Sequence, residues 1–527
     1  MASAFPASVK SALLACYAPD EISVLEHQLA LPADALHIRV NSQRSSRKEL
    51  LAALGAHERL EGFDVGAHPL LWDVLVIRRR PCAAALAPYI KLDADGFDSV
   101  QRFIERKRRG LPPHEVFVDR ICGEAILKGA DVFVKGVRAA SMGLTAGSTV
   151  TVYVDLDGRQ LRGSVCDSLQ GMRLLGVGEC LLDRSTLFKS ESGLGVRMAH
   201  VVTGDLPALR SLGALDEQMY VQSLPSLCVA HVLDAQPGER VIDMCAAPGS
   251  KCGHVATNFL KERAGSLIVA VERNHGKLAK MKHLLQETFG LRSVEVVRAD
   301  SCAIGSVGSG RNRVPGVPYE PASFDRVLLD PPCSALGLRP RLVQSSSAKE
   351  LATAAQYQRA FLWSAVRLLK VGGTLVYSTC TLAPAENEGQ VAWALGTFPC
   401  LRLVAATPKV GSSGRAGCGL SQEQCALVQR FEPSEGHEGF FIAKFELTCL
   451  PELDERAAAR LAAASGTARA AVPPGRPSAA RNSCETDAQA KRAAARRDRS
   501  VGVAMATLIA LVIVVAVAVG RVRKGRS

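Results

Sequence analysis

Two cysteines stand where a thiol could do chemistry. Cys333 closes the run Asp330-Pro331-Pro332-Cys333 after the apolar stretch "FDRVLL", and Cys380 lies in "STCT" after "GGTLVY". A thiolate attacks an electron-poor carbon when its site lowers its pKa. One such cysteine would more often be a small packing residue. Two of them, each at the end of an apolar run beside acidic strand ends, point to covalent chemistry at a shared site.

The elements that must position these thiols follow from the surrounding pattern. From about Leu206 the chain repeats strand, glycine turn and helix. "ERVIDMCAAPG", "GSLIVAVERN", "SVEVVRAD", "FDRVLLDPP" and "GGTLVYSTC" read as buried strands, separated by helical stretches such as "YQRAFLWSAVRLLKVGG". This alternation predicts an α/β fold with a parallel sheet and helices on both faces. Ligands of such sheets gather at the carboxyl ends of the strands. Asp243, Glu272, Asp300 and Asp330 fall at four of those ends, and Gly249 permits a close backbone approach in the first turn. An acid ending the second strand commonly bonds the hydroxyls of a ribose. "CAAPGSKC" lacks the first glycine and the hydroxyl of a phosphate-binding loop. The pocket therefore suits a nucleoside without a phosphate chain.

Composition narrows the rest. The 527 residues are 47% apolar and 22% charged, ordinary values for globular domains. The net charge is +13, but most of the excess lies after Leu450, so charge alone is weak evidence for a nucleic-acid partner. The 16 cysteines include no C-x-x-C pair, which argues against a zinc ribbon or a thioredoxin-like site. No long apolar run opens the chain, so reduced thiols are expected. Glycine-punctuated β-branched runs between about Val116 and Val202 predict a small β-rich domain. Val501 to Gly520 is uncharged and of bilayer-spanning length, which predicts a C-terminal transmembrane helix after an Ala/Arg-rich linker.

The stretches "IRVN", "AILKGADVFVKGV", "QSLPS", "DMCAAPGSK", "DPPCSALGLRP" and "YSTCTLAPAENEGQVAWAL" carry a resemblance. The chain resembles the Sun-domain (NOL/NOP/Sun) family of RNA cytosine-5 methyltransferases, in the branch with an inserted PUA domain that methylates the acceptor end of tRNA. The resemblance covers about Ile38 to Phe445. It implies a Rossmann-like methyltransferase domain over 206–449, a β-barrel PUA domain over 115–205 and a small α+β RNA-recognition region over 1–114. The linker would span 450–500 and the transmembrane helix 501–520. That helix would tail-anchor an otherwise cytosolic enzyme in an intracellular membrane. A monomer without metal is expected.

By the same resemblance S-adenosyl-L-methionine lies in the turn Cys245, Ala246, Ala247, Pro248, Gly249, Ser250 and Lys251. Glu272 would hold its ribose and Asp300 its adenine side, with Asp330 between cofactor and base. Cys380 would add to C6 of cytosine and Cys333 would assist loss of the C5 proton. Lys128 and Phe133 would receive the CCA end of tRNA. Three positions depart from the family pattern: Ser250 replaces a glycine, Glu272 a more common Asp, and Ala335 the glycine after Cys-Ser. Rival readings are an rRNA or mRNA methyltransferase, a membrane-tethered RNA-binding protein without activity, and an enzyme with Cys333 as nucleophile.

Overall fold

The apolar runs become strands of two kinds, half-covered and fully buried. The computed structural model describes residues 5–80 and 112–451, apart from 208, 210–211, 213–214, 262–264 and 305–314. Near the start, β1 (Ala35–Val40) and β2 (Asp64–Ala67) each pair antiparallel with β3 (Val74–Arg78). The helix Arg47–Gly55 packs Leu50 and Leu54 against Ile38, Leu75 and Ile77. Its first turn is fixed by a reciprocal cap: Ser46 accepts the Glu49 N–H, and Glu49 accepts the Ser46 N–H.

Six strands follow: β4 (His114–Asp119), β5 (Val132–Phe133), β6 (Val137–Ala140), β7 (Thr149–Asp155), β8 (Met172–Cys180) and β9 (Leu194–Val201). Their order in the sheet is β5-β9-β8-β7-β4-β6. Successive residues of a strand face opposite sides. Val116, Val118, Val152 and Val154 therefore share one core, while Phe117 and Tyr153 stack on the other face. After this insertion β10 (Met219–Val221) returns to pair with β1.

The third sheet positions the site. Its parallel strands are β11 (Arg240–Asp243), β12 (Leu267–Val271) and β13 (Val294–Val297), then β16 (Phe324–Leu329) and β17 (Leu369–Thr379). Between them β14 (Asp300–Ile304) and β15 (Gly316–Val317) pair separately. β18 (Leu401–Val404) and β19 (Gln429–Phe431) run antiparallel to β20 (Phe440–Leu447), which itself lies antiparallel to β17. The order β13-β12-β11-β16-β17-β20-β18 reverses between β11 and β16, the place where an open α/β sheet offers a crevice. Val241, Ile268 and Leu328 feed one core, together with the helix Leu224–Leu233. Ile242, Val269 and Val327 feed the other, with the helix Ala348–Leu368. Burial on both faces is why these strands read as continuous apolar runs.

Two expectations are corrected. Among the described residues no helix is long and apolar enough to cross a membrane. A span needs about 20 consecutive apolar residues. The 21-residue helix Ala348–Leu368 has the length but carries Lys349, Glu350, Arg359 and Arg367. The transmembrane helix and the tail-anchored location built on it are withdrawn; 501–520, like the linker beyond Pro451, lies outside the described residues. Cys16 and Cys418 lie side by side, with Cα atoms 6.4 Å apart. Cys333 and Cys380 are both free.

Candidate active site

The carboxyl ends of the parallel strands gather the acids as expected. Asp243 is the last residue of β11, Glu272 follows β12, Asp300 opens the chain beyond β13, and Asp330 follows β16. Asp243 is buried, and its carboxylate accepts the Cys245 N–H at 3.3 Å, which shapes the turn from within. Burial pushes the Asp243 carboxyl up to about 7, with Asp330 adding to the shift and Lys251 opposing it. Glu272 accepts the Asn274 N–H at 2.5 Å, and Asp300 accepts the Cys302 N–H at 3.1 Å. This acid-rich set accepts hydrogen bonds from hydroxyl and amino groups and repels phosphate, which fits the nucleoside part of S-adenosyl-L-methionine.

The turn Cys245–Lys251 is built for its shape. Gly249 has φ +105°, a left-handed value that favours glycine. A Cβ there would meet Leu285 and Met281 at 3.2–3.3 Å, so this glycine serves the turn and its packing against the helical stretch His275–Thr288. Ser250 opens the helix Ser250–His254, and its carbonyl accepts from Nη1 of the fully buried Arg39 at 2.9 Å. The Arg39 guanidinium lies 5.1 Å from the centre of the Tyr220 ring. No spacing rule links Arg39 to this turn.

β16 and β17 are neighbours, so their ends bring the two thiols together. Cys333 Sγ and Cys380 Sγ are 3.4 Å apart. Lys251 Nζ donates to Asp330 Oδ2 at 2.5 Å, and Ser378 Oγ donates to Asp330 Oδ1 at 3.1 Å. Burial alone would lower the Lys251 pKa, but the Asp330 carboxylate outweighs it and raises the value. The Cys333 thiol is pushed well up, first by its contact with Cys380 and then by burial, which keeps it protonated. Ala335 adopts φ +56°, which explains why glycine is usual at that position.

Lys128 and Phe133 lie in the six-stranded unit. Val132 and Val134 point into the core and Phe133 points out, 37% exposed, as the two-residue period of a strand requires. Among the described residues neither shares a hydrogen bond, ion pair or ring contact with the strand-end site. One link does cross: Leu342, nine residues after Cys333, is buried in the core of the six-stranded unit and donates its N–H to Glu124 at 3.1 Å.

A second buried polar group gathers around Asp73. Asp73 lies between His231 and His254, with both Nε2 atoms 2.7 Å from its oxygens. Donor atoms around zinc at about 2.1 Å stand roughly 3 Å or more apart, so these are hydrogen-bond distances. Among the described residues His254 Nδ1 is buried without a partner, whereas a metal-bound imidazole normally donates its other N–H. Burial pulls the His254 pKa down to about 4, in keeping with a neutral ring that donates to Asp73. Asn258 Nδ2 donates to the Val40 carbonyl and to Asp73, which ties β1 and the residue before β3 to the helical segment after the turn Cys245–Lys251.

The comparisons with known proteins agree with this geometry. A family model described as "16S rRNA methyltransferase RsmB/F" matches residues 230–446, and one described as "PUA domain" matches 114–202. The human protein "tRNA (cytosine(72)-C(5))-methyltransferase NSUN6" is 40% identical over 78% of this chain and 82% of its own. The Pyrococcus horikoshii "tRNA (cytosine(72)-C(5))-methyltransferase" is 30% identical over 84% of this chain and 96% of its own. The solved structure described as "The crystal structure of NSun6 from Pyrococcus horikoshii with SFG" superposes with a TM-score of 0.66 at 28% identity, covering 85% of this chain and 100% of that one. The chain belongs to the Sun-domain (NOL/NOP/Sun) family of RNA cytosine-5 methyltransferases, in its PUA-containing branch.

Proposed function

We infer that the chain is an S-adenosyl-L-methionine-dependent methyltransferase that forms 5-methylcytosine in tRNA, at position 72 of the acceptor stem beside the CCA end. The observation that carries this reading is the pair of thiols 3.4 Å apart beside the Lys251–Asp330 ion pair. Cytosine C5 is a poor nucleophile until a soft, removable group adds at C6. Cys380 is that group. Its Sγ forms a bond to C6, and the ring electrons shift toward C5. Asp330 faces N3 and the exocyclic amine, accepts from that amine and so orients the ring for attack. S-adenosyl-L-methionine, when bound, supplies the methyl group; Glu272 and Asp300 hold its nucleoside beside the turn Cys245–Lys251. Cys333, its own proton passed to solvent, then takes the C5 proton as a thiolate, the C5–H electron pair reforms the ring double bond, and the C6–S bond breaks to return Cys380 as thiolate.

The protonated state of Cys333 fits that order. The largest cause of its raised pKa is the contact with Cys380. That contact changes once the Cys380 sulfur is bonded to carbon, which eases loss of the Cys333 proton when a base is needed.

The remaining assignments follow. The segment 115–205 acts as the RNA-end reader, with Lys128 meeting phosphate and Phe133 offering a face to an unpaired base. The segment 206–449 carries catalysis and 1–114 supports RNA recognition. The target cytosine lies in a stem and must turn out of the stack to meet Cys380. The test is bisulfite sequencing of tRNA incubated with the chain and S-adenosyl-L-methionine, with and without the CCA terminus. Methylation at position 72 that falls sharply without CCA is the expected result. Equal methylation of both RNAs would remove the role given to Lys128 and Phe133.

A further inference from the structure

We propose that Gln358 and Glu386 are positioning residues for Cys333, holding the backbone on both sides of that thiol for the release step of the reaction. The proposal rests on the thiol roles given above. Gln358 Nε2 donates to the Pro332 carbonyl at 3.2 Å, on one side of Cys333. Glu386 Oε2 accepts the Ser334 N–H at 2.9 Å, on the other. Gln358 Nε2 also donates to Glu386 Oε2 at 2.8 Å, so the two holds form one unit. The Tyr377 hydroxyl braces it, 2.7 Å from the Glu386 carbonyl and 3.0 Å from Gln358 Oε1.

A carboxyl in this place needs an explanation. Gln358 and Glu386 are fully buried, and among the described residues Glu386 Oε1 has no well-aligned hydrogen-bond partner, only the nearby Ser334 and Thr381 hydroxyls. Burying an imperfectly paired carboxyl is costly, and an ordinary core would hold an apolar side chain there. What the carboxyl achieves is a two-point hold on a loop that carries the strained Ala335. The flanks of Cys380 are held by a different side chain: Thr379 donates to Asn387 Oδ1, and Asn387 Nδ2 donates to the Thr381 carbonyl. The two thiols are therefore held by different side chains on adjacent residues, and the two loops meet at the Ser334–Thr381 hydroxyl contact and at the Gly337 N–H donated to the Cys380 carbonyl. Weakening the first support should leave the attack by Cys380 working and impair what Cys333 does afterwards.

The experiment mixes full-length Glu386→Ala and Gln358→Leu with tRNA and S-adenosyl-L-methionine and follows the covalent RNA adduct by denaturing electrophoresis. Cys333→Ala runs alongside, and calorimetry follows cofactor binding. Both variants should accumulate adduct about tenfold or more above the unsubstituted chain, the effect of losing one well-placed hydrogen bond. Their cofactor affinity should stay within about threefold. Glu386→Gln keeps an acceptor for the Ser334 N–H and should release adduct faster than Glu386→Ala. Adduct at the unsubstituted level in both variants, while Cys333→Ala accumulates it, would overturn the proposal and leave the thiol roles standing. Loss of cofactor binding together with adduct formation would also overturn it, by making the pair part of the core and nothing more. No accumulation in Cys333→Ala itself would remove the thiol roles and the proposal with them.

Discussion

The strand-end face and the six-stranded insert are built on opposite terms. At the strand ends the side chains assigned to the reaction have fixed neighbours: Asp330 has Lys251 and Ser378, and Cys333 has Cys380. In the insert, Phe133 is exposed and Lys128 stands partly exposed at the end of a short helix. Bond-making requires groups held in place before the substrate arrives. Reading an incoming single strand requires faces and charges that are still accessible. Substitutions in the two regions should therefore fail differently, in turnover at the first and in substrate affinity at the second.

The largest expected effect, after loss of a thiol, lies at Asp330. Asp330→Asn removes the charge that faces the attacked ring and unpairs Lys251. It should lower kcat by roughly 10²–10³-fold with KM for tRNA little changed. A pure rise in KM would break the contrast between the regions.

A second difference between the regions is electrostatic. Burial pushes the Glu386 carboxyl from its ordinary 4.5 up to about 7. Between those values the folded chain keeps a proton that the unfolded chain has lost, so stability falls as pH rises through this window. Glu386→Gln does not titrate. Its stability relative to the unsubstituted chain should grow from about pH 4.5 and level off above about pH 7, by on the order of 3 kcal/mol. Urea denaturation at a series of pH values measures it, and a flat difference would show that Glu386 stays ionised.

Cofactor affinity comes next. Glu272→Ala and Asp300→Ala should each weaken S-adenosyl-L-methionine binding tenfold to a hundredfold, matching roughly 1.5–3 kcal/mol for a charge-assisted hydrogen bond, with tRNA affinity unchanged. Calorimetry giving the native affinity in both variants would remove this pocket. The smallest effect belongs to the insert. Lys128→Ala should raise KM for tRNA about threefold at unchanged kcat, the scale of a solvated charge.

Much of the site was legible because of how buried parallel strands are made. Such strands need unbroken apolar runs, so the first polar residue after "VLL" or "IVAV" marks a carboxyl end, and there Asp330 and Glu272 stand. What was not legible are the supports. Gln358 meets Pro332, Glu386 meets Ser334, and Arg39 meets Ser250 across 211 positions. No local period or motif encodes a contact made by folding distant segments together. The return of β10 to β1 was hidden for the same reason. Gly249 and Ala335 were noticed as residue types, but their reasons lie in backbone angles of +105° and +56°. The membrane reading rested on an uncharged run of bilayer-spanning length, 501–520, which lies outside the described residues, and no described helix supports it.

The measurement that bears most directly on the account is covalent adduct formation by the two single-thiol variants. Full-length Cys333→Ala and Cys380→Ala are each mixed with tRNA and S-adenosyl-L-methionine and resolved by denaturing electrophoresis. The account predicts a stable RNA adduct with Cys333→Ala, and neither adduct nor methylation with Cys380→Ala. An adduct formed by Cys380→Ala and absent from Cys333→Ala would contradict it and exchange the roles of the two cysteines.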